Sequence, residues 1–551
     1  MRKQTKIAAV VSAAALLALG ASITSFAASK GTWMMVDGEW YCYNSSGDVY
    51  ENTFCTSNGK DYYVGDDGQL VRSDWVEYDG DYYFVNSSGQ KITNDWRLAV
   101  PADDSDEEEQ WYYFKSNGKR AEDEKLLIAG KTYFFDSEGQ MLTGWVQESG
   151  DGWDEGSTDD VKSTATYYCD DETGARLEKA WIYTYAPSVD PDDVGSDDDE
   201  HWYYLKSSGK VATGKQTNIK GQNYFFDNEG IMLTGWVTKT ASNGYTEIWE
   251  NDDDGDGYYD VPLGEYAGGT VHFCDEEDGH MKKNKWIKVW NNIEFGAEDD
   301  DNDKYWFYIN SSGSVYIPEA GEYDYVGHIY DLNDGEGEDF GDRFGAEDYA
   351  VDSNYSEGGL VYATEKKINS KTYLFNSHGQ MIYNFFRTAE DAVSADGTKD
   401  VKANSMFYFG GEDDGARKTG SVSVKDDSGA SYRCYFASST NKTQHYYNAV
   451  GINGAKSGKL YADSLLIKAL DSKYEIKTVT IDGVEYDFIV NKSGSIQSSA
   501  KEYEEDDDVL INAKDYKFCT DTGATYKSIV YPGESDTHGS DVESDSNASA
   551  N

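Results

Sequence analysis

The sequence predicts an all-β chain, an elongated solenoid of stacked β-hairpin repeats of about 21 residues with acidic loop insertions. Three observations predict it. Aromatic runs recur in front of a fixed turn, turn glycines fall at a constant interval, and aromatics carry the apolar content, with 45 Tyr, 21 Phe and 14 Trp among 551 residues. Sparse Leu, Ile and Val suit thin stacking better than a few large cores.

The repeat is clearest in Trp111–Val146, WYYFKSNGKRAEDEKLLIAGKTYFFDSEGQMLTGWV, which returns as WYYLKSSGKVATGKQTNIKGQNYFFDNEGIMLTGWV in Trp202–Val237. Trp111-Tyr112-Tyr113-Phe114 has high strand preference, and period-two alternation places Trp111 and Tyr113 on one face, Tyr112 and Phe114 on the other. Lys-Ser-Asn-Gly118 reads as a hairpin turn, since glycine takes the positive φ such turns need. A lone hairpin is marginal in water, so neighbours must stack to bury the aromatics.

Taken in order, residues 1–27 read as a secretory signal: Arg2, Lys3 and Lys6 precede an apolar Ile7–Leu19 run, and Ser25-Phe26-Ala27 supplies small residues for cleavage. The run is short of the roughly 20 residues a spanning helix needs, and no later stretch is long enough. Residues 28–320 are Trp-containing hairpin repeats, with turn glycines Gly47, Gly68 and Gly89, then Gly118 and Gly139, then Gly209 and Gly230. Six or seven positions after such a glycine comes an aromatic: Phe54, Trp75, Trp96, Trp145, Trp181, Trp236 or Trp286. Longer intervals hold acidic inserts such as Asp103–Glu109 and Asp197–Glu200. Residues 321–365 are an acidic stretch with no visible unit. Residues 366–530 keep the hairpin pattern without Trp, since the last Trp is Trp306, and 531–551 is a Ser/Asp tail expected to be disordered.

A net charge of −54 disfavours DNA, RNA and other polyanions as partners. Asp252, Asp254 and Asp256, with Gly257 and then Asp260, supply the 1, 3, 5, 6 and 9 positions of a calcium loop, but Leu263 stands where the bidentate Glu belongs. His272, Cys274 and His280 make a weak zinc pattern, because Cys274 fills the slot that holds Phe elsewhere. The other cysteines in aromatic slots read as small apolar residues, and only Cys42 and Cys55 are near enough in sequence to suggest a bridge. No nucleophile elbow, HExxH or phosphate loop is present, so the reading is non-enzymatic.

Gly-Gln-Met-Leu-Thr-Gly-Trp145 and Gly-Ile-Met-Leu-Thr-Gly-Trp236, each after Tyr-Phe-Phe-Asp-x-Glu, resemble the cell-wall-binding repeats of Gram-positive surface proteins, of choline-binding and glucan-binding type. The resemblance implies a secreted protein of the cell wall or cell surface that binds choline-bearing teichoic acid or a glucan, with no membrane contact after signal cleavage. It also implies ligand-binding aromatics at Trp145 and Trp236 foremost, then Trp75, Trp96, Trp181 and Trp286. Adjoining aromatics complete the expected set: Tyr82, Trp111, Tyr112, Trp202, Tyr203 and Trp306. Cages of rings hold cations through the ring quadrupole, whereas flat exposed rings stack on sugars. The alternative is a structural or adhesive protein whose aromatics are only core and whose acidic inserts or Trp-free half contact a protein partner.

Overall fold

The computed structural model describes residues 31–102, 108–150, 152–156, 166–189, 200–240, 243–248, 271–290, 304–319, 321, 323–332, 344–346, 360–393, 400–426, 428–440, 447–519 and 527–533. The expected signal (1–27), residues 534–551 of the acidic tail and the Asp252–Asp260 string lie outside them. Among the described residues every regular element is a strand, and no helix is long and apolar enough to cross a membrane. The chain divides into two compact units. The first comprises Met1–Thr234, Thr240–Thr246 and Glu277–His280; the second comprises Gly235–Lys239, Glu247–Glu276 and Met281–Asn551.

Each hairpin pairs a strand carrying the Trp position with the aromatic run that follows it. Asp74–Tyr78 pairs with Asp81–Val85, which sets Trp75 opposite Phe84. Asp95–Ala99 pairs with Gln110–Phe114, which sets Trp96 opposite Tyr113. The same register places Phe54 opposite Tyr63, Lys125 opposite Phe134, Trp145 opposite Tyr168, Trp181 opposite Tyr204 and Lys215 opposite Phe225. In the second unit it places Trp236 opposite Phe273 and Trp286 opposite Tyr308.

This pairing corrects the sequence reading of which turn closes a hairpin. The closing turn precedes the aromatic run: Asp79 (φ 56°) and Gly80 (φ 77°), like Asn58 and Gly59, are both left-handed. Two consecutive positive φ values match the twist of the flanking strands. The Ser-Ser-Gly89 and Ser-Asn-Gly118 turns instead join one hairpin to the next, and each leaves a single bridge, Val85 to Lys91 or Phe114 to Arg120. An Asn or Asp side chain holds that second turn. Asn86 Oδ1 accepts N–H groups of Ser88 and Gln90 at 3.0 Å each, and Asp227 Oδ1 those of Glu229 and Ile231 at 2.9 and 2.8 Å.

The last residue of the aromatic run forms the core of hairpin after hairpin. Val64, Val85, Phe114, Phe135, Cys169, Leu205 and Phe226 in the first unit, and Cys274 and Ile309 in the second, are all 0 % exposed. Cys169 and Cys274 therefore stand in core positions. Burial pushes the Cys169 thiol up to about 12, and His272, beside Cys274, sets its Nδ1 2.8 Å from the Gly313 carbonyl oxygen. Neighbouring hairpins interlock through the joining turn. Arg120 N–H donates to the Tyr82 carbonyl at 2.8 Å, Met141 to Trp111 at 2.9 Å and Met232 to Trp202 at 2.9 Å. A Cβ on Gly139 would lie 2.6 Å from the Arg120 stem and one on Gly174 2.3 Å from Met141 Sδ, and both glycines hold a left-handed φ (74° and 68°) that other residues adopt only with strain.

The second unit departs from the expected division. Within 321–365, Tyr325–Leu332 is an internal strand of a seven-stranded sheet, pairing with Val361–Ile368 and Phe385–Thr388. Its buried Tyr325, Ile329 and Leu332 were hidden in sequence by the acidic residues on either side. Further on, Gly420–Lys425, Ser431–Phe436, Leu465–Ile467, Lys459–Ala462 and Gly454–Lys456 form one five-stranded sheet, where the sequence suggested separate hairpins.

Candidate functional site: a recurring aromatic cage

The Trp position meets rings of its own hairpin and of the next one. Trp96 lies 6.5 Å from Trp111 at an interplanar angle of 87°, 5.1 Å from Tyr113, 4.9 Å from Tyr133 and 5.8 Å from Phe135, all between centroids. Trp181 repeats this constellation, at 6.4 Å and 84° from Trp202, 5.0 Å from Tyr204, 4.9 Å from Tyr224 and 5.8 Å from Phe226. In the second unit Trp286 lies 5.3 Å from Tyr308, 4.7 Å from Tyr373 and 5.7 Å from Phe375, and Trp306 packs against the same cluster. Phe135 and Phe226 are fully buried and form the floor, while Trp96, Trp111, Trp181 and Trp202 stay partly open. Trp202 is 43 % exposed, and Tyr183, 52 % exposed, lies 5.2 Å from it.

Around Trp96 and Trp181 the neighbouring rings stand at 31° to 87° to the indole, and such clustered aromatic faces suit a cation because each face presents negative quadrupole density. Burial holds the Tyr133, Tyr224 and Tyr373 hydroxyls above the usual phenol range, with Asp278 adding to it at Tyr224 and Asp414 at Tyr373, where Lys418 opposes. These walls are neutral at physiological pH, and the carboxylates beside two of them favour positive charge. Among the described residues no Lys or Arg lies over Trp96, Trp181 or Trp286.

The remaining Trp positions differ. Trp75 has the full constellation, 6.5 Å from Tyr82, 5.3 Å from Phe84 and 4.7 Å from Tyr112. Arg120, however, fills it, with Cζ 5.4, 4.3 and 5.8 Å from the Trp75, Tyr82 and Tyr112 rings. Trp145 meets Tyr168 at 5.1 Å and Tyr203 at 5.0 Å, but its second wall is absent, since Thr166 stands opposite Gln147 where Trp111 stands opposite Leu98. Its indole N–H donates to the Tyr185 carbonyl at 2.9 Å. Trp236 is 5 % exposed within a core of Val271, Phe273 and Phe307. Trp145 and Trp236, which the resemblance placed foremost, thus lack the cage, and Tyr112 and Tyr203 are fully buried. The Thr-Gly pair before a Trp marks the repeat but not the opening. Sequence reasoning missed Tyr133, Tyr224 and Tyr373, which the next hairpin supplies. The signal for them was the Met two residues after the turn glycine, Met141, Met232 and Met381.

Open cages fall on every third hairpin, at Trp96, Trp181 and Trp286. After each of the first two, the next hairpin puts Lys125 or Lys215 in the Trp position, and the one after that has either Trp145, part-exposed but short of its second wall, or the buried Trp236. The 91-residue recurrence seen in sequence is this triplet.

The chain is thus an all-β hairpin-repeat protein built around recurring aromatic cages, and its repeats resemble the cell-wall-binding repeats of choline-binding and glucan-binding type. Among curated proteins it is similar to Glucosyltransferase-S of Streptococcus downei, 24% identical over 196 residues, which are 34% of this chain and 10% of that protein. It is also similar to Glucosyltransferase-S of Streptococcus mutans serotype c, 27% identical over 264 residues, 46% of this chain and 12% of that protein. The chain spans about a tenth of the length of these relatives. No protein-family model matches it. Among solved structures, the modular autolysin LytC from Streptococcus pneumoniae aligns at 16% identity over 64% of this chain and 52% of that one, TM-score 0.32. Choline binding protein F from the same organism aligns at 16% identity over 75% and 98%, TM-score 0.30.

Proposed function

We propose that the protein is a secreted, non-catalytic binding protein of the bacterial cell wall. Its hairpins stack as a solenoid, and the cages at Trp96, Trp181 and Trp286 each hold a quaternary ammonium of a choline-bearing wall polymer. The observation that carries this reading is the near-identity of the Trp96 and Trp181 cages, with corresponding centroid distances within 0.1 Å. Both sites keep their ring walls and stay partly open, whereas Trp145, in a hairpin between them, has Thr166 in place of the second ring. Several weak cages on one chain multiply affinity for a polymer that bears the same group repeatedly.

A second reading, binding of a glucan, draws on the exposed Tyr183 and Trp202 rings, 5.2 Å apart and tilted 47° to each other, since exposed aromatic faces stack on sugars. Retention on purified cell walls separates the two. Elution by millimolar choline supports the cage reading, elution by soluble glucan alone supports stacking, and elution by neither supports a protein partner. We propose also that Asp252, Asp254, Asp256 and Asp260 hold calcium, on the donor spacing in sequence.

A further inference from the structure

We propose that the residue two positions after the joining-turn glycine decides whether a cage takes an outside cation, and that Arg120 keeps a further cation site, the Trp75 cage, filled from within. The inference rests on the cage reading above. The Trp75 cage matches the open Trp96 cage wall for wall: Trp75 to Tyr82 is 6.5 Å at 88°, and Trp96 to Trp111 is 6.5 Å at 87°. The third walls, Tyr112 and Tyr133, lie 4.7 and 4.9 Å from their Trp. The two cages differ in the residue two positions after the joining-turn glycine, Arg120 for Trp75 and Met141 for Trp96. Arg120 and Met141 are anchored alike, each donating its backbone N–H to the second-wall residue, Tyr82 or Trp111.

Methionine offers a neutral, polarisable side chain and leaves the cage to a ligand, whereas arginine supplies the cation itself. The Arg120 side chain is 7% exposed, faces three rings, and donates from Nε to Glu122 Oε1 at 2.8 Å, so its charge is balanced where it sits. The preceding hairpin repeats the device with a second cation. Lys91 donates its backbone N–H to Asp61, ion-pairs with the Asp61 carboxylate at 2.7 Å, and sets Nζ 4.9 and 5.5 Å from the Phe54 and Tyr83 rings. There an aspartate replaces the second ring and the cage is spent on the internal ion pair. At Trp75 all three rings remain, so removing the arginine leaves a complete site.

The test is the stoichiometry of tetramethylammonium binding to the full chain, measured by equilibrium dialysis for the wild type, Arg120→Met, Arg120→Lys and Met141→Arg. Arg120→Met should add one site to the wild-type number, Arg120→Lys should add none, and Met141→Arg should remove one. Arg120→Met leaving the wild-type number unchanged, in a protein with wild-type circular dichroism, overturns the proposal while leaving the open cages standing. Met141→Arg keeping every site overturns it independently of how Arg120 variants fold. A wild type that binds no tetramethylammonium overturns the cage reading and this inference together.

Discussion

Replacing Trp181 should separate binding from folding, and Trp236 provides the contrast. Trp181 faces four rings at 4.9 to 6.4 Å and is partly open, whereas Trp236 is 5 % exposed against Phe273 and Phe307. A cation over a partly desolvated ring gains about 1–2 kcal/mol, so Trp181→Ala should weaken its cage about 5- to 30-fold. The four ring pairs it loses are worth ~0.5–1.5 kcal/mol each, so stability falls by roughly 2–6 kcal/mol. Trp181→Phe keeps a ring and most of the packing, and should still weaken the cage several-fold because Trp is the strongest cation partner. Trp236→Ala should cost about 3–5 kcal/mol of stability and leave the number of ammonium sites unchanged. Calorimetric titration with choline, alongside urea unfolding, reads both quantities. Equal loss of sites in the Trp181 and Trp236 variants would refute the assignment of open and closed positions.

Asp227 offers a test of the joining turn. Burial pushes its carboxyl up to about 6 from the usual 3.8, against the turn N–H bonds that pull it down. Its folded value exceeds its unfolded one, so its contribution is fully present below pH about 4 and is lost as pH rises through about 6. Asp227→Asn keeps the Oδ1 acceptor, as Asn86 and Asn310 do in other hairpins. It should raise stability at pH 7.5 by ~1–3 kcal/mol and flatten the urea midpoint between pH 4 and 6; an unchanged pH profile would contradict the burial argument. The Cys169 and Cys434 thiols, both pushed up to about 12 by burial, should resist iodoacetamide at pH 8 in the native chain and react in guanidinium. If the Asp252–Asp260 string holds calcium, the thermal midpoint should be higher in calcium than in magnesium at matched ionic strength, and Asp254→Ala with Asp256→Ala should remove most of the difference.

Much of the fold was legible because the aromatic runs and turn glycines are local signals. The choice of closing turn was not, since Asp79-Gly80 and Ser88-Gly89 both read as turns, and only the ladder from Asp74–Tyr78 to Asp81–Val85 distinguishes them. The cage was half legible. Trp96 with Trp111, and Trp181 with Trp202, were named from one hairpin, but Tyr133 and Tyr224 come from the next hairpin, where no spacing rule within a unit reaches them. The closure of Trp236 was invisible because it depends on Val271 and Phe307, which flank inserts of unequal length. The strand at Tyr325–Leu332 was missed because acidic neighbours masked its alternation.

The most direct measurement is a crystal structure of the chain soaked with arsenocholine, read from anomalous density at the arsenic edge. Peaks within the Trp96, Trp181 and Trp286 cages, and none at Trp75, Trp145 or Trp236, are the predicted result. Peaks at Trp145 or Trp236, or empty cages at saturating ligand, would contradict it.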